Sequence, residues 1–349
     1  MQLVALWICG ICVRCTRVLC LPVPAFAWHC KVGQQHHTAV RIVTLAEFYR
    51  DHYRPGRLVG CANGTHLAYS DALTHWNRSV GLQIDSESGV PQAAMAKLAA
   101  DVRLNTSAAT ANKTLRHVMA LLRYAAEVGV LKTAVPKAVK LKEPRRLPEA
   151  WTVDQVQLIL AETLREPGTI ATLPANRWWY SLLLTIYYCG GRIGAVLATE
   201  PADLLLDERA IILRAAAQKQ QADQYLHLPD QVIAAVAPIY SDRRHLVWPW
   251  PYCRRTLFRR FHALLNRAGV RYGQSKGGLF HKMRRTHASY LAANGGNASW
   301  SLGHCSPTVT RDHYLDPRIV GAGQVDLLPR LVIESAGDIA SVGSQAWLL

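Results

Sequence analysis

From about residue 42 the apolar positions recur at helical spacing. Leu45, Phe48 and Tyr49 open the pattern, and Leu67, Ala68, Leu73 and Trp76 continue it through a stretch from His66 to Trp76. A third helical stretch covers Gln92 to Val102. The fourth is the clearest: Ala111 to Val128 repeats Leu115, Val118, Met119, Leu122, Ala125 and Ala126 on one face, and Gly129 stands where a helix C-cap favours glycine. Four helices with short connections predict a compact helical domain over residues 41–131.

The texture then breaks. Residues 132–150 run from Lys132 through Lys137, Lys140, Lys142 and Arg145 to Arg146, broken by Pro136, Pro144 and Pro148, and read as an extended basic linker. Thr152 and Gln155 make a capping box that opens a second domain over 151–330. Helices are expected there at Val153–Leu164, Arg177–Cys189, Pro229–Ala237, Thr256–Ala268 and His281–Ala293. Short strands are expected at Ala210–Leu213 and Gln224–Leu228. The fold class is therefore mainly α in two domains: a helical domain, then an α+β domain with a small antiparallel β-sheet. Residues 331–349 form a tail with Leu331, Val332, Ile333 and Trp347.

Residues 1–40 differ from the rest. Leu3 to Val13 is apolar and Ala25-Phe26-Ala27 is similar to a small-residue cleavage site, yet no basic segment precedes the apolar run, and Arg14 and Arg17 follow it. The run is too short to span a membrane. Cys9, Cys12 and Cys15 lack the two separated ligand pairs of a structural zinc site. This leader is expected to lie outside the folded protein, with no membrane attachment and no metal. Five of the nine cysteines fall in the first thirty residues and the rest are scattered, which is no disulfide framework and fits a cytoplasmic protein.

Charge narrows the partner. The chain of 349 residues carries a formal +16, which favours an anionic partner, nucleic acid first. Residues 1–150 hold 19 Lys and Arg against 9 Asp and Glu, so the first half is the stronger electrostatic grip. Lys140, Lys142 and Arg145 in the linker are then candidates to lie along a phosphate backbone.

One set of residues suits attack on a phosphodiester. Arg192 follows Gly190 and Gly191, Lys219 sits between the two strands, His281 and Arg284 share a helix face, and His304 and Tyr314 follow. Cleaving such a bond without a metal needs an aimed nucleophile, donors for the non-bridging oxygens, and a proton for the leaving oxygen. Arginine suits the oxygens because its planar fork stays charged.

In order and local spacing, Gly190-Gly191-Arg192, the stretch HKMRRTHAS over 281–289 and LGHCSPTVTRDHY over 302–314 resemble the boxes of the tyrosine recombinases, or phage integrase family. The resemblance covers roughly residues 42–330. It implies a DNA breaking–rejoining fold, with Arg192, Arg284 and His304 on the scissile phosphate. It also implies His281 as the proton relay for the tyrosine, Lys219 as the acid for the leaving 5′ oxygen, and Tyr314 as nucleophile of a 3′-phosphotyrosyl intermediate. The segment SAATANKTLRHVMALLRYAAEVG over 107–129 resembles the family's core-binding domain, making Asn112, Lys113, Arg116 and Arg123 candidate DNA contacts. The implied partners are double-stranded DNA, a homotetramer on paired sites and an accessory DNA-bending protein, with no cofactor; the tail would contact a neighbouring protomer. One position departs from the family: the acidic residue three places after the arginine is Ala195 here. Support for Arg192 is either missing or supplied elsewhere, Glu200 and Asp203 being the candidates. Two alternatives stay open, a type IB topoisomerase-like enzyme and a non-catalytic DNA-binding protein derived from an integrase.

Overall fold

The structure is a computed structural model, and it describes residues 43–81, 83–84, 89–144, 146–271 and 278–321. The leader, Arg145 and the tail lie outside the described residues. The chain divides into two compact units, residues 1–144 and 145–349.

In the first unit the helical path begins at Leu45, where Thr44 and Glu47 form a reciprocal capping box. Helices Asn63–Ser79, Gln92–Asn105 and Ala108–Glu127 pack together around Trp76, Leu98, Val118, Leu121 and Leu122, all essentially inaccessible to solvent. The last helix starts three residues earlier than its apolar repeat indicates. Ser107 caps it, its hydroxyl accepting from the Thr110 amide at 3.2 Å. Gly129, at φ +76°, ends it in the left-handed conformation expected of that position.

Residues 132–144 have no regular structure, but they are not a free tether. The Asn112 amide donates to the Leu141 carbonyl at 2.9 Å and accepts from the Leu141 amide at 2.8 Å. Gln92 holds Lys137 in the same reciprocal way. The segment is a strap bound to its own unit, and proline alone did not reveal that, because the anchors sit 29 and 45 residues upstream.

The second unit is built around helix Ala175–Cys189, which buries Trp178, Trp179, Leu182, Leu183 and Ile186. A helix apolar on every side belongs in the middle of a domain. Trp151, Trp248 and Phe261 complete the core. The indole N–H of Trp178 donates to the Pro249 carbonyl and that of Trp248 to the Ser181 hydroxyl, so these rings enter the core without losing their hydrogen bonds. Strands Leu204–Leu205, Ala210–Leu213 and Gln224–His227 form an antiparallel meander, with Ala210 opposite His227 and Leu213 opposite Gln224. Helices Arg254–Arg267 and Leu279–Ala293 follow. The short helices Ala298–Ser301, Pro307–Tyr314 and Pro317–Val320 end the described chain. Among the described residues no helix is long and apolar enough to cross a membrane, and no cluster of His, Cys, Asp and Glu could hold a metal ion.

Candidate active site

Helix Ala175–Cys189 ends at Gly190, whose φ of +60° turns the chain sharply toward Arg192. A side chain at this position would meet more than strain. A Cβ on Gly190 would stand 2.5 Å from the ring of His287. That imidazole donates from Nδ1 to the Tyr187 carbonyl at 2.8 Å, which leaves Nε2 to accept from the Ser301 hydroxyl at 2.7 Å. His287 therefore packs the turn from behind. Sequence reasoning missed it, although it lies inside the same nine-residue stretch as His281 and Arg284.

Arg192 is the N-cap residue of the short helix Ile193–Leu197. Arg192, Lys219, His281 and Arg284 line one cleft of roughly 340 Å³, so four of the six predicted catalytic residues meet there. Lys219 is exposed on the turn between strands Ala210–Leu213 and Gln224–His227, as its flanking strands predict. Arg254, at the start of helix Arg254–Arg267, also lines the cleft and was not anticipated.

Arg284 is 1% exposed. It donates from Nη1 to the Gly190 carbonyl and from Nη2 to the Leu302 carbonyl. It thereby ties together the turn before Arg192 and the segment before His304. Burial lowers its pKa to about 10, with the nearby Arg192 charge adding to the effect; it is still cationic at neutral pH. Its Nη2 also donates to His304 Nε2 at 3.3 Å, so His304 carries its own proton on Nδ1 and directs it to Thr310 Oγ1 at 2.8 Å. As placed, His304 receives a hydrogen bond from Arg284. It would offer Nε2–H to a phosphate oxygen after gaining a second proton, or after a change of tautomer in which the Thr310 hydroxyl donates to Nδ1.

Tyr314 is buried against the same group. Its ring centroid lies 4.8 Å from that of His281 and 4.5 Å from that of His304, and the Arg284 guanidinium carbon sits 5.6 Å from it. Ser289 fixes the tyrosine from behind, its hydroxyl donating to the Tyr314 carbonyl at 3.2 Å and accepting from the Asp316 amide at 2.9 Å. Arg285, a neighbour of Arg284 on another face, donates to the His313 carbonyl at 3.1 Å. The nucleophile candidate is thus held by the helix that bears His281 and Arg284 in the same chain.

Burial first, then the surrounding arginines, push His281 down to about 4. Burial and the Arg284 and Arg192 charges do the same to His304. A neutral His281 at physiological pH has a lone pair with which to take a proton.

The family pattern's missing acid is not replaced by the expected residues. Asp203 receives Arg214 Nε at 2.5 Å, and Glu200 faces His245 at 3.8 Å. Arg192 instead donates to Gln220 Oε1 at 2.6 Å. A sequence scan for acids passes over an uncharged amide.

Residues 150–318 match the phage integrase family model. Over those residues the second unit is similar to a phage integrase domain. The chain is 28% identical over 221 residues to tyrosine recombinase XerD of Mycobacterium tuberculosis, covering 60% of this chain and 70% of that protein. Its fold is that of the Tn1549 transposon integrase solved with circular intermediate DNA, with a TM-score of 0.62 and 15% identity, covering 82% of this chain and 100% of that one. It is also that of the lambda integrase dimer on a core site, with a TM-score of 0.59 and 16% identity, covering 84% and 81%. A lambda integrase tetramer on a Holliday junction matches with a TM-score of 0.57 at 15% identity, covering 76% and 77%.

On the first unit, Lys113, Arg116 and Arg123 are exposed and fall on one face of helix Ala108–Glu127. Lys140 and Lys142 are exposed on the strap. Asn112 is different: it is 7% exposed and its amide is committed to Leu141 and Glu143. Both of its amide hydrogens hold the strap, and a contact with a base or phosphate would have to displace one of them.

Proposed function

We propose that this chain is a site-specific DNA recombinase that breaks and rejoins strands through a 3′-phosphotyrosyl intermediate. The observation that carries the reading is Tyr314, packed against His281 and His304 with Arg284 at its face. Tyr314 attacks the scissile phosphorus while its proton passes to the neutral His281. Arg192 and Arg284 bind the non-bridging oxygens, where preorganised cations lower the barrier most. Approach of the phosphate supplies the negative charge that favours a second proton on His304, converting it from acceptor to donor. Lys219 protonates the departing 5′ oxygen. A 5′ hydroxyl from a partner strand reverses the step, and the phosphotyrosyl bond stores the energy, so neither ATP nor a metal is required.

Double-stranded DNA is the partner, gripped on the first unit by Lys113, Arg116, Arg123, Lys140 and Lys142. Exchange between two duplexes needs four active sites, so the working assembly is a tetramer on paired sites, with an accessory bending protein where the sites require it. A cytoplasmic location fits this action on DNA. The test is a covalent-adduct assay on nicked duplexes tiled across the flanks of the protein's own gene, with chelator present. Wild type is expected to give a denaturant-resistant protein–DNA band that Tyr314→Phe lacks. DNA binding by both proteins without a band from either would overturn the recombinase reading in favour of a non-catalytic DNA-binding protein.

A further inference from the structure

We propose that Gln220 is the positioning residue of Arg192, and that it couples this arginine to the turn carrying Lys219. This rests on the recombinase reading above. At Ala195 the chain has a methyl group, 2% exposed, where an acid would stand. The bond from Arg192 Nη1 to Gln220 Oε1 is short, at 2.6 Å, and its acceptor belongs to a chain of amides.

Gln220 Nε2 donates to Gln218 Oε1 at 3.2 Å. Gln218 is 5% exposed, and its own Nε2 donates to the Leu213 carbonyl at 2.9 Å and the Ala222 carbonyl at 3.0 Å. These carbonyls belong to the end of one strand and the approach to the next. The orientation of the Gln220 amide is fixed by this chain, because its nitrogen must face Gln218 and its oxygen therefore faces Arg192.

A second contact locks the turn in place. Gly303, at φ +63°, stands directly before His304, and a Cβ there would come within 2.3 Å of Gln220 Nε2 and 2.7 Å of Gln224 Nε2. The turn thus packs into the space that the glycine leaves open. One loop presents Lys219 to the cleft and the acceptor of Arg192 beside it. Docking of that loop against Gly303 sets the phosphate clamp and the leaving-group acid together. An amide has a further consequence that a carboxylate lacks: it orients the guanidinium without neutralising it, so the full positive charge of Arg192 is retained for the phosphate.

The test compares wild type, Gln220→Ala, Gln220→Glu and Lys219→Ala on the nicked duplex that gives the wild-type adduct. Each duplex is made in two forms, with oxygen or sulfur at the bridging 5′ position. In both forms the Tyr314 Oη–P bond forms and the tyrosine proton goes to His281. In the oxygen form the P–O5′ bond breaks and O5′ takes a proton from Lys219. In the sulfur form the P–S bond breaks and a thiolate leaves unprotonated.

Gln220→Ala is expected to slow adduct formation by about tenfold or more on both forms, with DNA affinity within about twofold of wild type. Gln220→Glu, which keeps an acceptor for Arg192 but loses the donor to Gln218 and offsets the arginine's charge, should recover part of the rate, while the Lys219→Ala defect should vanish on sulfur. A wild-type rate for Gln220→Ala on both forms would overturn the proposal, as would a Gln220→Ala defect that disappears on sulfur or a Gln220→Glu variant no better than Gln220→Ala. Absence of any wild-type adduct is a separate result, seen in its own lanes, and speaks against the recombinase reading.

Discussion

Arg284 donates a hydrogen bond to the carbonyl oxygen of Gly190, a residue 94 positions earlier in the chain. The same guanidinium reaches the Leu302 carbonyl. A residue expected to bind phosphate is thereby also the tie between the three sequence boxes. Its planar fork does both tasks, and lysine, a point donor on a flexible stem, cannot.

Arg284→Lys should therefore lose the covalent adduct by more than about a hundredfold and also lower stability by about 2–3 kcal/mol, since buried carbonyls lose charged donors. Denaturant unfolding of the variant beside Arg192→Lys checks this. Arg192 is only half-buried, and its substitution should leave the unfolding midpoint close to wild type. Equal stability losses for the two would count against the bracing role.

Acid should loosen the fold before its carboxylates titrate. His281, His287 and His304 all have folded pKa values pushed down to about 4 from 6.5, burial being the largest cause for each. As pH falls below 6.5 the unfolded chain takes up protons that the folded site refuses. Stability is therefore full above 6.5 and declines toward 4. Tm measured from pH 7 to pH 5 should fall in a range where carboxylates remain ionised, and DNA with an intact scissile phosphate should reduce the fall. A Tm independent of pH over this interval would refute the assignment of these rings as neutral.

Helix Arg254–Arg267 has no acidic residue, and Arg254, Arg255 and Arg259 are exposed on it. Arg254 also lines the cleft. If these arginines neutralise phosphates, replacing each by Gln should lower the slope of log affinity against log salt by about 0.9 for every phosphate left without its arginine. Filter binding from low to moderate salt reads the slope directly. Weaker binding with an unchanged slope would place these side chains away from the backbone.

Much of the site was legible because its chemistry is tied to residue type and spacing. Arg192, Lys219, His281 and Arg284 meet in one cleft, and Tyr314 packs against two of the predicted histidines. The long helices were legible too, their ends shifting by a few residues where caps such as Ser107 lie outside the apolar repeat. What stayed hidden was carried by uncharged groups acting at a distance. Gln220 does what an acid was sought for, His287 fills the space behind Gly190, and Asn112 fastens a strap that prolines alone made look free. Hydrogen-bond partners 28 to 100 residues apart leave no periodicity to read. The short helix Pro307–Tyr314 was missed for a related reason: only Thr310 and Tyr314 are buried on it, too few to establish a repeat.

The Ser289 hydroxyl, which both gives to the Tyr314 carbonyl and receives from the Asp316 amide, has a meaning for the interval between cutting and sealing. On the proposed mechanism, the covalent link of the severed strand to the protein during that interval runs through Tyr314. A nucleophile hung on a slack loop would let the captive end wander and let stray water or an unaligned hydroxyl compete for it. With the main chain on both sides of the tyrosine fastened to a core helix, the captive end keeps one address. The incoming strand must find that address, and fidelity in rejoining begins with how firmly the break is held still.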